Sequence, residues 1–265
     1  GADTLVTCGA RQSNHARLTA AAGARLGLDV VLVLAGAKGG PGSGNIALDG
    51  LLGATVAWAG DIAHEDLETI ALAVVDQLRE RGARPEFIPY GGSSTLGARG
   101  YVECGHELLR QAEDLSQVVT AVGSGGTMAG LVYALGTRRV LGVDCGAIRD
   151  PAATVAELVA GLAGAPLAPE ALRIRLDQVG AGYGDLTDPV MAALTMAART
   201  EGLVLDPIYT GRALAGLVGA VKDGGITAGE RIVFLHSGGL PGFFGHPATL
   251  SRSFEALTEF SPTES

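Results

Sequence analysis

Three glycine-rich stretches hold the side chains best suited to chemistry. In GSGGTMAG, residues 123–130, the glycines let backbone N–H groups converge, and Ser124 and Thr127 add hydroxyls where a helix begins. Unpaired amides at the positive end of a helix dipole bind a phosphate group. CGARQSNH, residues 8–15, sets Gln12, Ser13, Asn14 and His15 at another strand-to-helix turn. Ser13 or Asn14 serves there as a helix cap, yet four consecutive polar side chains exceed what capping requires. HSGGLPG, residues 236–242, offers Ser237 beside two glycines. Tyr183 in GAGYGDLTDP and Tyr209 in LDPIYTGRA add two aromatic hydroxyls in a chain with only 5% aromatic residues.

Competing chemistries fit less well. A dinucleotide fingerprint beginning at Gly123 requires glycine at position 128, where Met128 stands, although Asp144 lies where a ribose-binding acid belongs. Lys38 in AGAKGGPGSGN is not followed by Ser or Thr, so that stretch is no nucleotide-phosphate loop and reads as a flexible surface loop. His64-Glu65 lacks the second histidine of a zinc helix, and no metal site is expected. His106 and His246 read as surface or capping residues, and Cys104 and Cys145 as buried small side chains.

The elements that must position these loops alternate in type. Strands are expected at Leu5–Cys8, Val30–Val33, Thr55–Trp58, Glu86–Pro89, Gln117–Val122, Val140–Asp144, Ile174–Val179 and Arg231–His236. Three- and four-residue apolar spacings predict helices at Asn14–Leu26, Ile46–Leu52, Glu65–Arg81, Tyr101–Ala112, Thr127–Leu135, Pro151–Leu162, Pro189–Glu201 and Thr210–Asp223. Such alternation implies an α/β fold with parallel or mostly parallel sheets flanked by helices. The aperiodic stretch Pro89–Gly100 divides two series, giving a small lobe over 3–98 and a large lobe over 99–265. The polar tail after Gly245 is expected to end in a mobile segment.

Composition narrows the partners. A net charge of −9 disfavours a phosphate backbone, so nucleic acid is not an expected partner. No apolar run is long enough to cross a bilayer, and no membrane partner is expected. No export signal is read, and three widely spaced cysteines fit reduced thiols; the cytoplasm is the expected compartment.

Taken in order, TLVTCGARQSNHARLTAAAGARLGL, GNIALDGLLGA, PYGGSSTLGARGY, AVGSGGTMAGL, GAGYGDLTDP, LDPIYTGRALAGL and FLHSGGLPGFF resemble the D-cysteine desulfhydrase and 1-aminocyclopropane-1-carboxylate deaminase family. Those are lyases dependent on pyridoxal 5′-phosphate, with the two-lobed fold type II of tryptophan synthase β. The resemblance implies that Gly123, Ser124, Gly125, Gly126 and Thr127 cradle the cofactor phosphate. It implies Asn14 on the phenolic oxygen of the ring and Ser237 facing the pyridine nitrogen. Ser13 is implied near the substrate carboxylate or reacting carbon, with Tyr183 and Tyr209 flanking the substrate. A hydroxyl opposite the ring nitrogen makes the ring a weaker electron sink, which suits expulsion of a β-leaving group as the α-proton departs.

The resemblance therefore implies β-elimination from cysteine or a cysteine-like amino acid, giving sulfide or a thiol, ammonia and pyruvate. Deamination of the cyclopropane substrate is the alternative; that branch resembles YEG after the tyrosine and glutamine after SN, where this chain has Tyr209-Thr210-Gly211 and His15. Two further alternatives are a cysteine-lyase domain of a megasynthase acting on a carrier-tethered thiol, and a non-catalytic cofactor-binding module. A homodimer is usual for such enzymes. The Schiff-base lysine of the family lies upstream of QSN, and neither Lys38 nor Lys222 matches it. The expectation is that an N-terminal segment carrying it is missing, and that the chain as written turns over poorly.

Overall fold

The computed structural model describes residues 1–39, 42–63 and 66–259. His64, Glu65, the start of the helix expected from Glu65, part of the Lys38 loop and the last six residues of the tail lie outside the described residues.

The first half builds one parallel sheet. Strand β1 (Thr4–Gly9) is followed by α1 (Asn14–Leu26), β2 (Asp29–Leu34), α2 (Asn45–Leu51), β3 (Thr55–Trp58), α3 (Leu67–Glu80) and β4 (Pro85–Ile88). The strands lie in the order β3-β2-β1-β4, all parallel. Helix α1 has the expected limits because both ends carry explicit signals. Ser13 caps its start by accepting from Ala16 N at 3.1 Å, and Gly27 ends it with a positive φ of 69°.

Helix α4 (Thr95–Gln111) leads into the second half: β5 (Gln117–Val122), α5 (Gly126–Leu135), β6 (Val140–Asp144), α6 (Pro151–Ala163), β7 (Arg173–Arg175), α7 (Asp188–Glu201), α8 (Thr210–Lys222) and β8 (Ile232–Phe234). This sheet has the order β7-β6-β5-β8, again all parallel. Helix α4 begins six residues before the expected Tyr101. Ser94 caps it by accepting from Gly97 N at 3.0 Å, and residues 98 and 99 both lie within it. Strand β5 is buried along its whole length, between α5 on one face and α8 on the other. Its continuous apolar character is what a central parallel strand requires.

Two departures from expectation matter for the site. The strand expected over 174–179 stops at Arg175, because Asp177 turns to pair with the Arg175 guanidinium at 2.6 Å. Beyond β8 the chain forms α9 (Leu240–Phe244) and, within the polar tail, α10 (Pro247–Glu255), so that tail is helical up to Glu255. Its last six residues, where a mobile end is expected, lie outside the described residues. His246 caps α10, its Nδ1 accepting from Thr249 N at 3.3 Å, so its Nε2–H donates to the Gly184 carbonyl at 3.0 Å. Arg252 of α10 pairs with Asp188 at 2.9 Å. The first bond ties the C-terminal helix to the loop that carries Tyr183 and the second ties it to the start of α7. Among the described residues no helix is long and apolar enough to cross a membrane.

Candidate active site

The carboxyl ends of β1, β5 and β8 open into one cleft of about 570 Å³. Ser13, Asn14, Gly123, Ser124, Gly125, Gly126, Thr127, Tyr209 and Ser237 all line it. Of the expected site residues only Tyr183 stands behind the wall. Its hydroxyl meets that of Tyr209 at 2.7 Å, with the two rings edge to face.

The turn at 123–127 has the form of an anion cradle. No side chain caps α5 through Gly125, which holds a φ of 94° open to glycine without strain. The first helical carbonyl-to-amide bond goes to Ala129, so the Thr127 and Met128 amides precede the hydrogen-bonded ladder. The Gly126 amide donates to Ser93 Oγ at 3.0 Å, and Ser93 Oγ lies 2.7 Å from Ser124 Oγ. Opposite it, Gly91 comes so close that a Cβ there would overlap the Ser124 hydroxyl. A Cβ on Gly123 would stand 3.0 Å from the Tyr209 ring. Gly91, with its φ of 63° and Ser124 so near, has no room for a side chain, while at Gly123 a methyl group would press on the Tyr209 ring.

The other candidates are oriented by their own networks. Because Ser13 Oγ accepts the Ala16 amide, its hydroxyl proton remains to be donated to the cleft. Asn14 Oδ1 accepts from Asn45 Nδ2 at 2.8 Å. Tyr209 is set by buried Asp206, whose carboxylate accepts from the amides of Ile208, Tyr209 and Thr210 and from the Thr210 hydroxyl. Burial pushes the Tyr209 phenol well above its ordinary range and Tyr183 up to about 12. Both are neutral donors near pH 7 and cannot serve there as bases.

His15 lines the same cleft. The Thr7 hydroxyl donates to the Ile88 carbonyl at 2.8 Å, so it accepts from His15 Nε2 at 2.8 Å. That leaves Nδ1 as the lone-pair nitrogen. Burial lowers the His15 pKa to about 4, so the ring is neutral at ordinary pH.

Tyr90, Ser93, Asp206 and Asn45 carry or shape the site without having been singled out in the sequence. Ser93 and Tyr90 sit in the aperiodic stretch read as a crossing, where serine beside paired glycines is the available signal. Asp206 precedes Tyr209 by three residues, a spacing that suits a local turn. Asn45 lies in GNIALDGLLGA, one of the stretches that carry the resemblance, but its residue type and spacing there point to no chemistry.

The rival chemistries end differently. Met128 is fully buried with its sulfur against Gly142 of β6, so the bulk at that position is accommodated by a glycine in the neighbouring strand. The Asp144 carboxylate turns back to accept from Gly146 N at 2.9 Å. Cys145 is buried, whereas Cys104 is only half-buried, because α4 presents that face to the rim of its packing with α5. Lys38 and Lys222 are exposed and neither lines the cleft. No cluster of potential metal ligands occurs among the described residues.

An anion cradle at a helix start, facing polar side chains across two parallel sheets, defines a cofactor-binding α/β enzyme. The family profile described as pyridoxal-phosphate dependent enzyme matches residues 1–238, and the chain belongs to that family. It is 38% identical to the D-cysteine desulfhydrase of Salmonella schwarzengrund (strain CVM19633) over 93% of this chain and 80% of that protein. The protein of the same description from Salmonella typhi matches to the same extent. Among solved structures, that of an ACC deaminase homologue superposes with a TM-score of 0.86 at 33% identity, covering 95% of this chain and 78% of that one. Threonine deaminase isoform 2 of Solanum lycopersicum shares the fold, with a TM-score of 0.63 at 19% identity over 94% of this chain and 73% of that one. The α/β expectation and the pyridoxal phosphate cofactor are thereby borne out. The cleft fits the cofactor: the glycine-walled cradle suits its phosphate, and the polar groups across from it suit a substituted pyridine.

Proposed function

We propose that the chain is a carbon–sulfur lyase that eliminates the β-thiol of cysteine, with D-cysteine as the first substrate to test. What supports this reading most is one arrangement: the 123–127 turn, Asn14, Ser13, Tyr209 and Ser237 line a single cleft. The similarity to D-cysteine desulfhydrases points the same way.

In this reading residues 123–127 hold the cofactor phosphate, Asn14 donates to the phenolic oxygen, and Ser237 faces the ring nitrogen. The bound cofactor supplies an electron sink for the α-carbon of the amino acid. Ser13 directs its hydroxyl proton to the substrate carboxylate. Tyr209, backed by Tyr183, holds a neutral phenol at the substrate and can donate to a departing sulfur. Ser237 is uncharged and leaves the ring nitrogen unprotonated, which favours loss of a leaving group over accumulation of negative charge at the α-carbon.

Cyclopropane-ring opening is the lesser reading. Thr210 is buried and bonded to Asp206, so no carboxylate follows Tyr209 at the site. We further propose two lobes dividing near residue 98, a homodimer, and a cytoplasmic setting in which the three cysteines remain thiols.

The test is product release by the polypeptide expressed from its complete coding sequence, supplied with pyridoxal phosphate. Sulfide, ammonia and pyruvate in equal amounts from D-cysteine, above those from L-cysteine and the cyclopropane amino acid, are expected. Turnover of the cyclopropane amino acid alone, or only of a carrier-tethered thiol, would overturn the reading. Cofactor binding with no lyase activity would identify a binding module instead.

A further inference from the structure

Asn14 can face the cleft with either end of its amide, and only the nitrogen end can donate to an oxygen of the ligand. The choice is made one layer back. Asn45, fully buried at the start of α2, gives Nδ2 hydrogen bonds to Asn14 Oδ1 and to the Gln12 carbonyl, each at 2.8 Å. Its Oδ1 accepts from Arg17 Nε at 3.2 Å, and its backbone amide donates to Gln12 Oε1 at 2.7 Å.

An asparagine amide can be turned end for end, so its orientation rests on partners that work in one direction only. Asn45 has two. A guanidinium donates and never accepts, and a main-chain carbonyl accepts and never donates. Arg17 and the Gln12 carbonyl therefore demand the same orientation: oxygen towards Arg17, nitrogen towards Gln12 and Asn14. With its oxygen taken by Asn45, Asn14 has its Nδ2 left over, and no described residue accepts from it.

We propose that Asn45, held between Arg17 and the Gln12 carbonyl, is a positioning residue that fixes Asn14 as a donor and makes the cleft select a ligand with an oxygen acceptor there. This rests on the reading of Asn14 as the partner of the cofactor's phenolic oxygen. Asn45 touches neither cofactor nor substrate; it acts through Asn14.

Asn45→Asp keeps the size and the acceptor oxygen that meets Arg17, and replaces the donor nitrogen with a second acceptor oxygen. Asn14 then turns to donate to the new carboxylate and presents its own oxygen to the cleft. The experiment is equilibrium dialysis with two probes, pyridoxal 5′-phosphate and 3-deoxypyridoxal 5′-phosphate, which lacks the phenolic oxygen. The unsubstituted protein should prefer the first by about tenfold or more, as befits a hydrogen bond to a charged acceptor. Asn45→Asp should abolish that preference while its affinity for the deoxy probe stays within about twofold. Equal losses for both probes, or an unchanged preference, would overturn the relay and leave the functional reading standing. Failure of the unsubstituted protein to bind either probe would overturn the functional reading and the relay with it. Should the variant not fold, scalar coupling across the hydrogen bond decides in the unsubstituted protein. Coupling from Asn45 Nδ2 to Asn14 Cγ supports the relay; coupling in the reverse direction, or none, refutes it.

Discussion

Arg212 offers the sharpest test of how the Tyr183 wall is held. Its side chain is fully buried and makes no ion pair among the described residues. Its charge is met instead by four carbonyls: Cys145 at 2.6 Å, Val179 at 3.2 Å, Gly182 at 2.9 Å and Asp185 at 2.8 Å, while Nε has no partner. Arg212→Met keeps the volume and removes the donors. The Cys145 carbonyl is enclosed and loses about 1–3 kcal/mol as an unsatisfied acceptor. The other three belong to a surface loop and can take water, so each forfeits about 0.5–1.5 kcal/mol. Relief from burying a charge that has carbonyl partners but no counter-ion offsets part of this, leaving a net cost of roughly 2–4 kcal/mol. Urea unfolding should report that loss, and Arg212→Lys, which can still reach Cys145, should fall between. Hydrogen exchange in 179–185 should rise in Arg212→Met even under conditions where the protein is fully folded. A stability within about 0.5 kcal/mol of the parent, the range of ordinary surface changes, with unchanged exchange in the loop would refute the reasoning.

Asp206→Asn replaces a carboxylate that accepts four hydrogen bonds by a group with a single acceptor oxygen, and should cost about 2–3 kcal/mol in thermal or chemical unfolding. Gly91→Ala puts a methyl group against the Ser124 hydroxyl at a φ of 63°; pyridoxal phosphate affinity measured by dialysis should fall about tenfold or more. His15, with its folded pKa near 4 against 6.5 unfolded, is neutral in both states above pH 6.5. Between 6.5 and 4 the unfolded chain gains a proton that the folded chain refuses, so stability falls by up to about 3 kcal/mol as pH drops. His15→Gln should flatten that part of the urea-midpoint profile, and an unaltered profile would show that His15 is not the source. Asp49 is shifted the other way, to about 6, by burial with Oδ1 unpaired. Its folded form holds a proton that the unfolded form has lost, so its burden grows from pH 4 to 6, and Asp49→Asn should raise stability at pH 8 by about 1–2 kcal/mol.

The parallel sheets were legible because their strands are short apolar runs framed by glycine and capping residues. Thr55–Trp58, Gln117–Val122 and Val140–Asp144 have the limits read from the sequence, and Ser13 and Gly27 bracket α1 as their types demand. Helix α4 was read short because Gly97 and Gly100 interrupt its apolar pattern, while the cap at Ser94 is a single residue among several serines. Helix α10 was hidden by a polar sequence held in place by His246 reaching the Tyr183 loop and Arg252 reaching Asp188 at the start of α7, contacts that no local pattern encodes. The cleft-lining loops carry glycine and hydroxyl signatures and could be named in advance. Their supports could not: Asn45 and Arg212 look like ordinary polar helix residues until the fold buries them. Asp144 shows the converse: its position suits a ribose-binding acid, and after Met128 has already counted against a dinucleotide, the structure turns its carboxylate back onto Gly146 N.

The most direct test is a crystal structure of the protein with pyridoxal 5′-phosphate. The phosphate should rest on the amides at the start of α5 beside Ser124 and Thr127, with the phenolic oxygen at Asn14 Nδ2 and the ring nitrogen at the Ser237 hydroxyl. A cofactor lodged outside this cleft, or a ring turned so that neither Asn14 nor Ser237 reaches it, would contradict the account.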